Sequence, residues 1–403
     1  MKFRVLCFCV LTIGVFVVGC KPQQKITSVT IVPVEVIKEP VESADSVSTP
    51  PVIYITQQND TLYALDEEVE IEISRVYKDT VSIIGVGDIM MGTNFPEVHY
   101  LPGNNGRDLW ADVRDTLKNA DVTFGNLEGV ILDEGGEQKE CKNPKVCYLF
   151  RTPESYLTNL SESGFDVMSL ANNHAGDFGA LGRKNTMASL DSVNISHAGQ
   201  LSQPFVTFKR KGMRYGMVAF SPNRGTVSIH NLEKAKQIVA HLDSIVDIVI
   251  VSFHGGAEGS KYEHVPRKTE TFYGENRGNV YEFAHTMVDA GADVVFGHGP
   301  HVTRAMDLYK DRFIIYSLGN FCTYGRFNLR GVNGIAPIVK VYTNHEGRFL
   351  KGEVIPIRQL GAGGPKIDPN NSVIKKIQEL TKKDFPEINL LIDDSGFINY
   401  IDN

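Results

Sequence analysis

Six short apolar runs in this chain each end in residues that can bind metal or move protons. Residues 81–86 lead to Gly87-Asp88, and 121–125 lead to Asn126-Leu127-Glu128. Residues 165–171 lead to Asn172-Asn173-His174, and 247–253 lead to His254-Gly255. Residues 293–296 lead to Gly297-His298-Gly299-Pro300-His301, and 313–316 lead to Ser317-Leu318-Gly319-Asn320. In open α/β sheets, ligands sit beyond the carboxyl ends of the strands. Six such ends therefore point to one shared site. Mixed carboxylate, amide and imidazole donors suit one or two divalent ions such as Mn, Fe or Zn. Such ions lower the pKa of a bound water and clamp the oxygens of a displacement. A remaining histidine can then protonate a leaving group. Cys322 is the one cysteine beside these motifs, which excludes a thiolate structural zinc site.

Taken singly, most of these residues have an ordinary alternative. Asp88 reads as a turn or helix-cap carboxylate, and Glu128 as a loop acid. Asn172-Asn173-His174 reads as a capped turn with a surface imidazole. His298 and His301 are harder to set aside, because Pro300 stiffens their turn and fixes where both rings point. The glycines after His254 let a metal or substrate approach the backbone. His99, His230, His241, His285 and His345 stand alone and read as surface or core residues.

Strands alternating with amphipathic helices position these ends. Helices are predicted over 108–119, 153–163, 183–192, 231–244, 279–290 and 373–383. Gly164 and Gly291 close two of them just before the next strand. The alternation implies a layered α/β domain over 79–345. Residues 346–403 are predicted to add strands and a helix that pack on it.

The 403-residue chain carries a formal charge of −7, which argues against nucleic-acid binding. Its start is a separate matter. Lys2 and Arg4 precede an apolar stretch over 5–18 that suits a signal-peptide core and is short for a membrane span. It ends in Val17-Val18-Gly19-Cys20, which looks like a bacterial lipobox. Residues 1–19 are thus expected to be cleaved, and Cys20 to carry a lipid anchor in the cell envelope. Residues 20–52 read as a tether, and 53–78 as lead-in strands. Cys141 and Cys147 are six apart; a disulfide and two free thiols both remain open for them.

The motifs Gly87-Asp-Ile-Met-Met-Gly92, Asn126-Leu-Glu-Gly129, Ser169-Leu-Ala-Asn-Asn-His-Ala-Gly-Asp-Phe-Gly179, Val251-Ser-Phe-His-Gly-Gly-Ala-Glu258, Gly297-His-Gly-Pro-His-Val302 and Tyr316-Ser-Leu-Gly-Asn-Phe321 occur in order. Together they resemble the bacterial capsule synthesis protein CapA family, which is linked to poly-γ-glutamate production and anchoring. That family is similar to calcineurin-like metallophosphoesterases. The resemblance implies a four-layer α-β-β-α sandwich of the metallo-dependent phosphatase type. It implies that Asp88, Glu128 and His301 hold a first ion, and that Asn173, His254 and His298 hold a second. Glu128 takes the bridging place, and His174 becomes the proton donor, oriented by Asp177. It implies an anionic polymer such as poly-γ-glutamate as partner, beside a membrane synthase or export complex. Arg151, Arg304 and Arg326 lie in or beside the motifs and read either as forks for its anions or as structural ion pairs, with Glu258, Tyr262 and Asn320 lining the edge.

Two positions depart from the phosphoesterase pattern. Met90 stands where those enzymes carry a histidine, and the final turn has one extra residue. Two-metal hydrolysis, one-metal hydrolysis, phosphate-ester chemistry and a binding-only role all stay open.

Overall fold

The computed structural model describes residues 78–140 and 147–401. The expected leader, the Cys20 anchor, the tether and all but Lys78 of the lead-in strands lie outside the described residues. So does Cys141. Cys147 is disulfide-bonded. No helix of the described residues is long and apolar enough to cross a membrane.

All six apolar runs are strands, and they fall into two sheets. The first sheet orders Leu390–Ile392, Phe397–Tyr400, Phe349–Gln359, Ile335–Thr343, Val81–Met90, Val122–Leu127, Val167–Ser169 and Ser196–Ala198. Asn320–Thr323 pairs in parallel with the far end of Val81–Met90. The second sheet orders Met306–Tyr309, Arg312–Ile315, Val294–His298, Ile248–His254, Met213–Phe220 and Phe205–Arg210. Both sheets are mixed, with parallel strands where the site motifs lie. Fully buried strands on that scale need cover on both faces.

Three apolar cores show how the cover is arranged. Ile83, Val122 and Phe124 of the first sheet meet Met217, Ile250 and Phe296 of the second. Phe124 and Phe296 stack across that gap at 5.3 Å. On the outer face of the second sheet, Val249, Val251 and Val295 pack against Ala235, Val239, Phe283 and Met287. On the outer face of the first, Ile84, Val86 and Met168 pack against Trp110, Leu117, Leu160 and Leu190. The layers are thus helix, sheet, sheet, helix, as the resemblance implied.

The covering helices form for local reasons. Leu232–Ile245 buries Ala235, Ile238, Val239 and Leu242, one stripe of a 3.6-residue period. Asn231 caps it by accepting from Lys234 N, and Asn279 caps Val280–Asp289 by accepting from Glu282 N. The helix predicted over 108–119 is mostly absent. A 3-10 segment, Asn104–Trp110, precedes a single turn, Arg114–Leu117. Asn105 and Gly106, just upstream, take left-handed angles. The hairpin Phe205–Arg210 with Met213–Phe220 had no counterpart in the sequence reading. Beyond residue 345 the chain extends the first sheet by antiparallel pairing, and Ser372–Asp384 adds Val373, Ile374 and Ile377 to the central core.

Candidate metal centre

The carboxyl ends of both sheets meet at one place. In the first sheet Asp88 lies between Asn126 and Asn320. In the second, His254 and His298 are level. A Cβ at position 87 would fall 2.0 Å from the Gly319 carbonyl oxygen. Glycine there lets the Asn320 strand close beside Asp88. The turn after His298 places Gly299 at φ 111° and His301 at φ 56°. The extra residue of this turn is absorbed by those two left-handed positions. For a histidine that conformation costs about 1–3 kcal/mol, and it delivers the ring onto Asp88.

The contacts are short and interlocked. His301 Nδ1 lies 2.9 Å from Asp88 Oδ2, and His298 Nδ1 lies 3.3 Å from Asp88 Oδ1. Asn126 donates to Asp88 Oδ1 at 2.9 Å, and Asn172 donates to Asn126 Oδ1 at 3.2 Å. Glu128 Oε1 lies 3.6 Å from His301 Nε2 and 4.0 Å from His174 Nε2. Asp88, Glu128 and His301 offer donor atoms within 4.8 Å of one another. Asp88 thus touches both His298 and His301, linking residues of both implied ligand sets.

Many donors here have no protein partner. Both Glu128 oxygens, Asn173 Oδ1, both ring nitrogens of His254 and Nε2 of His298 are buried without a hydrogen bond. Each such group costs about 1–3 kcal/mol when left unsatisfied, and native structures rarely leave them clustered. Oxygen and imidazole donors converging without thiolate fit a divalent cation. Met90 does not join them, since its sulfur accepts from Gly92 N at 3.2 Å.

The electrostatics agree with that fit. Burial pushes the Asp88 carboxyl up, but hydrogen bonds with His298 and His301 outweigh it and hold it far below the usual range. Burial pushes Glu128 well above that range. Burial pulls His301 down, yet the charges of Glu128 and Asp88 carry it up to about 10. Burial, with Arg277 nearby, keeps His254 well below the usual imidazole value, hence neutral and able to ligate.

A proton held on His301 competes with any cation. Metal affinity is therefore expected to climb with pH, by up to about tenfold per unit, until the His301 value is passed. Titrating Mn or Zn into chelator-stripped protein across neutral pH checks this. His301→Gln should flatten the slope, and a flat wild-type profile would contradict a proton held on that ring.

His174 and Asp177 form the expected pair. His174 Nδ1 lies 2.7 Å from Asp177 Oδ2. Asp177 also accepts from Phe150 N and from Lys139 Nζ, both at 2.8 Å. Its orientation is thus fixed from three sides, and His174 Nε2 is left to face Glu128.

The other expected residues divide. Glu258 lies near the centre, its Oε1 3.1 Å from Arg277 Nη2, and its charge acts on Glu128 and His301. Arg326 stands on the rim. Arg304 is not a substrate reader: it is fully buried, and Glu270 takes both of its Nη atoms at 2.8 Å. Arg151 is likewise engaged, by Asn94 Oδ1 and the Gly135 carbonyl, over the Phe178 ring. Tyr262 gives its carbonyl to Arg304 and sets its ring edge-on to Phe272. Asn320 is buried and donates to the carbonyls of His301 and Asn333, so it holds the His301 turn from behind. The glycines after His254 make room for the Arg277 carbonyl and the Arg304 guanidinium rather than for a ligand.

Sequence reasoning missed Asn126, Asn172, Lys139 and Arg277. The first two stand inside quoted motifs but were given no role there, and an amide close to a carboxylate or an imidazole was the available signal. Lys139 lies on an irregular segment and Arg277 on a short hairpin strand, both without a local signature.

The chain is thus a two-sheet α/β sandwich whose shared strand ends carry a buried carboxylate, amide and imidazole set that could hold a metal ion. Residues 82–324 match the bacterial capsule synthesis protein PGA_cap family, and the chain belongs to that family. A capsule biosynthesis protein CapA of Bacillus anthracis is 32% identical over 258 residues, covering 59% of this chain and 58% of that protein. The chain thus spans little more than half the length of that relative. A PGA biosynthesis protein CapA of Bacillus subtilis (strain 168) is 27% identical over 322 residues, covering 75% of this chain and 78% of that one. Among solved structures, the Haemophilus influenzae NAD nucleotidase aligns at a TM-score of 0.35 and 12% identity, over 75% of this chain and 56% of that one. The fold assignment itself rests on the sheets described above.

Proposed function

We propose that this protein is a lipid-anchored accessory of capsule or exopolymer synthesis that hydrolyses an amide or ester bond of an anionic polymer, poly-γ-glutamate foremost. One observation carries the reading: orphaned buried donors around Asp88 face an imidazole that is itself oriented by a carboxylate. The names of the Bacillus relatives support the polymer. The Val17-Val18-Gly19-Cys20 motif supports the anchor, and the Cys147 disulfide supports an oxidising compartment. A synthase or export complex in the same membrane is the natural partner.

Asp88, Glu128 and His301, with Asn173, His254 and His298, would hold the ion. When bound, it supplies a water of lowered pKa and draws charge from a substrate oxygen. The chain's own groups do the rest. Asp177 accepts from Nδ1 of His174, which fixes the tautomer and aims Nε2 into the centre. From there Nε2 of His174 takes a proton from the attacking water and passes it to the leaving nitrogen or oxygen. Lys139 and Phe150 N hold Asp177 still. Asn126 and Asn172 hold Asp88 in place.

A second reading is a binding or export accessory without turnover. Met90 favours it, because its position gives the first ion one ligand fewer. The test is metal analysis of the full chain together with an assay of poly-γ-glutamate chain length. The hydrolase reading expects bound metal, shortened polymer, and a rate about 10²- to 10⁴-fold lower in Asp177→Asn, which loses only the orienting acceptor. Metal and polymer binding without shortening would support the accessory instead. Turnover of phosphate diesters alone would point to an envelope phosphoesterase.

A further inference from the structure

We propose that Arg326, packed against Tyr100 and Tyr148, is an anchoring subsite for one carboxylate of the bound polymer, set apart from the reacting bond. The guanidinium carbon lies 4.7 Å from the centroid of each ring. Two rings cover its faces and leave the N–H edge to meet a ligand. That edge matches a planar two-oxygen anion, taken as a fork. Among the described residues, no carboxylate forms an ion pair with Arg326. It differs in this from Arg304 and Arg277, which pair with Glu270 and Glu258.

A row of rings joins this cation to the metal centre. Tyr148 stacks on Phe150 at 6.4 Å, and Phe150 lies 4.3 Å from the His174 ring. Phe327, the next residue after Arg326, stacks on Phe150 at 5.2 Å and meets His301 edge-on at 5.8 Å. Tyr148 is 43% exposed, so the outer end of the row is open to a chain. A polymer with its scissile bond at His174 would run outward along this row and place a later carboxylate at Arg326.

The subsite rests on the polymer reading above and adds chain-length dependence to it. The test is calorimetric binding of a γ-glutamyl dipeptide and of a long γ-linked oligomer to the full, metal-loaded chain. Arg326→Ala should weaken the long oligomer about tenfold or more, leaving dipeptide affinity and metal content at wild-type levels. Arg326→Lys should recover only part, because an ammonium cannot fork. Tyr148→Leu should give a smaller loss in the same direction.

If the wild type binds the long oligomer and Arg326→Ala binds it equally, the subsite alone is overturned. An equal loss on both lengths has the same consequence. A wild type that binds no oligomer overturns the polymer reading and the subsite with it. A loss confined to a polyphosphate chain would assign the anion to phosphate and overturn the carboxylate subsite.

Discussion

Replacing Glu128 with glutamine should strip the centre of metal while making the metal-free protein more stable. Glu128 is fully buried, and neither oxygen has a hydrogen-bond partner. Burial raises its pKa well above the usual 4.5, so the charged form is disfavoured in the fold. For a raised carboxyl the penalty is absent at acid pH and grows as pH rises past its ordinary value. A neutral amide of the same shape removes that penalty. The chelator-treated variant should gain about 1–2 kcal/mol near neutral pH, read as a raised denaturation midpoint. The same change removes an anionic ligand. Loss of a mere supporting partner costs roughly 10- to 100-fold in metal affinity, so loss of Glu128 should cost more than that. Thermal melts with and without added Mn or Zn separate the two effects. If glutamine leaves both metal affinity and metal-free stability unchanged, Glu128 does not belong to a cation site.

Arg304→Ala should be the most destabilising single change at an arginine in this protein. Arg304 holds Glu270 with a two-point fork and also donates to the carbonyls of Tyr262 and Ala257. Removing one partner of a buried pair leaves the other charge uncompensated and costs about 3–5 kcal/mol. Urea denaturation measures this directly. Arg304→Lys should restore less than half of it, since one ammonium cannot replace three donor nitrogens in a fixed plane. The opposite pattern, full stability with weakened polymer binding, would return Arg304 to the substrate surface.

The comparison of sequence with fold turns on how local each signal is. Asp88, Asn173, His254, His298 and His301 were legible because an apolar strand and a donor at its end are neighbours in sequence. The layered α/β class followed from the same alternation, and the four-layer order from the family resemblance. Arg304 stood open between a substrate fork and an ion pair, because its partner is 34 positions away on the short hairpin of Glu270–Phe272 and Glu275–Gly278. Nothing near Arg304 announces that pairing. Asn320 looked like a pocket edge, but its register beside Asp88 turns its amide onto the His301 carbonyl. The missed hairpin at 205–220 does alternate, yet Lys209, Arg210 and Lys211 break its apolar pattern at the turn. Arg326 resembled the other arginines in sequence; only the two tyrosines around it set it apart.

The contact between His301 and Asp88 spans 213 positions. Asp88 also needs Asn126 on one flank and Asn320 on the other. Contacts of that sequence separation close late and slow the folding of a domain, because loop entropy is lost before they repay it. No early fragment of the chain therefore contains the centre, even though most of its donors have been made by residue 254. Any ion held by this centre would be captured at the end of folding rather than at its nucleus. An unfolded or partly threaded chain would carry the donors as scattered, weakly binding side chains, and the ion would select only molecules whose two sheets had already closed.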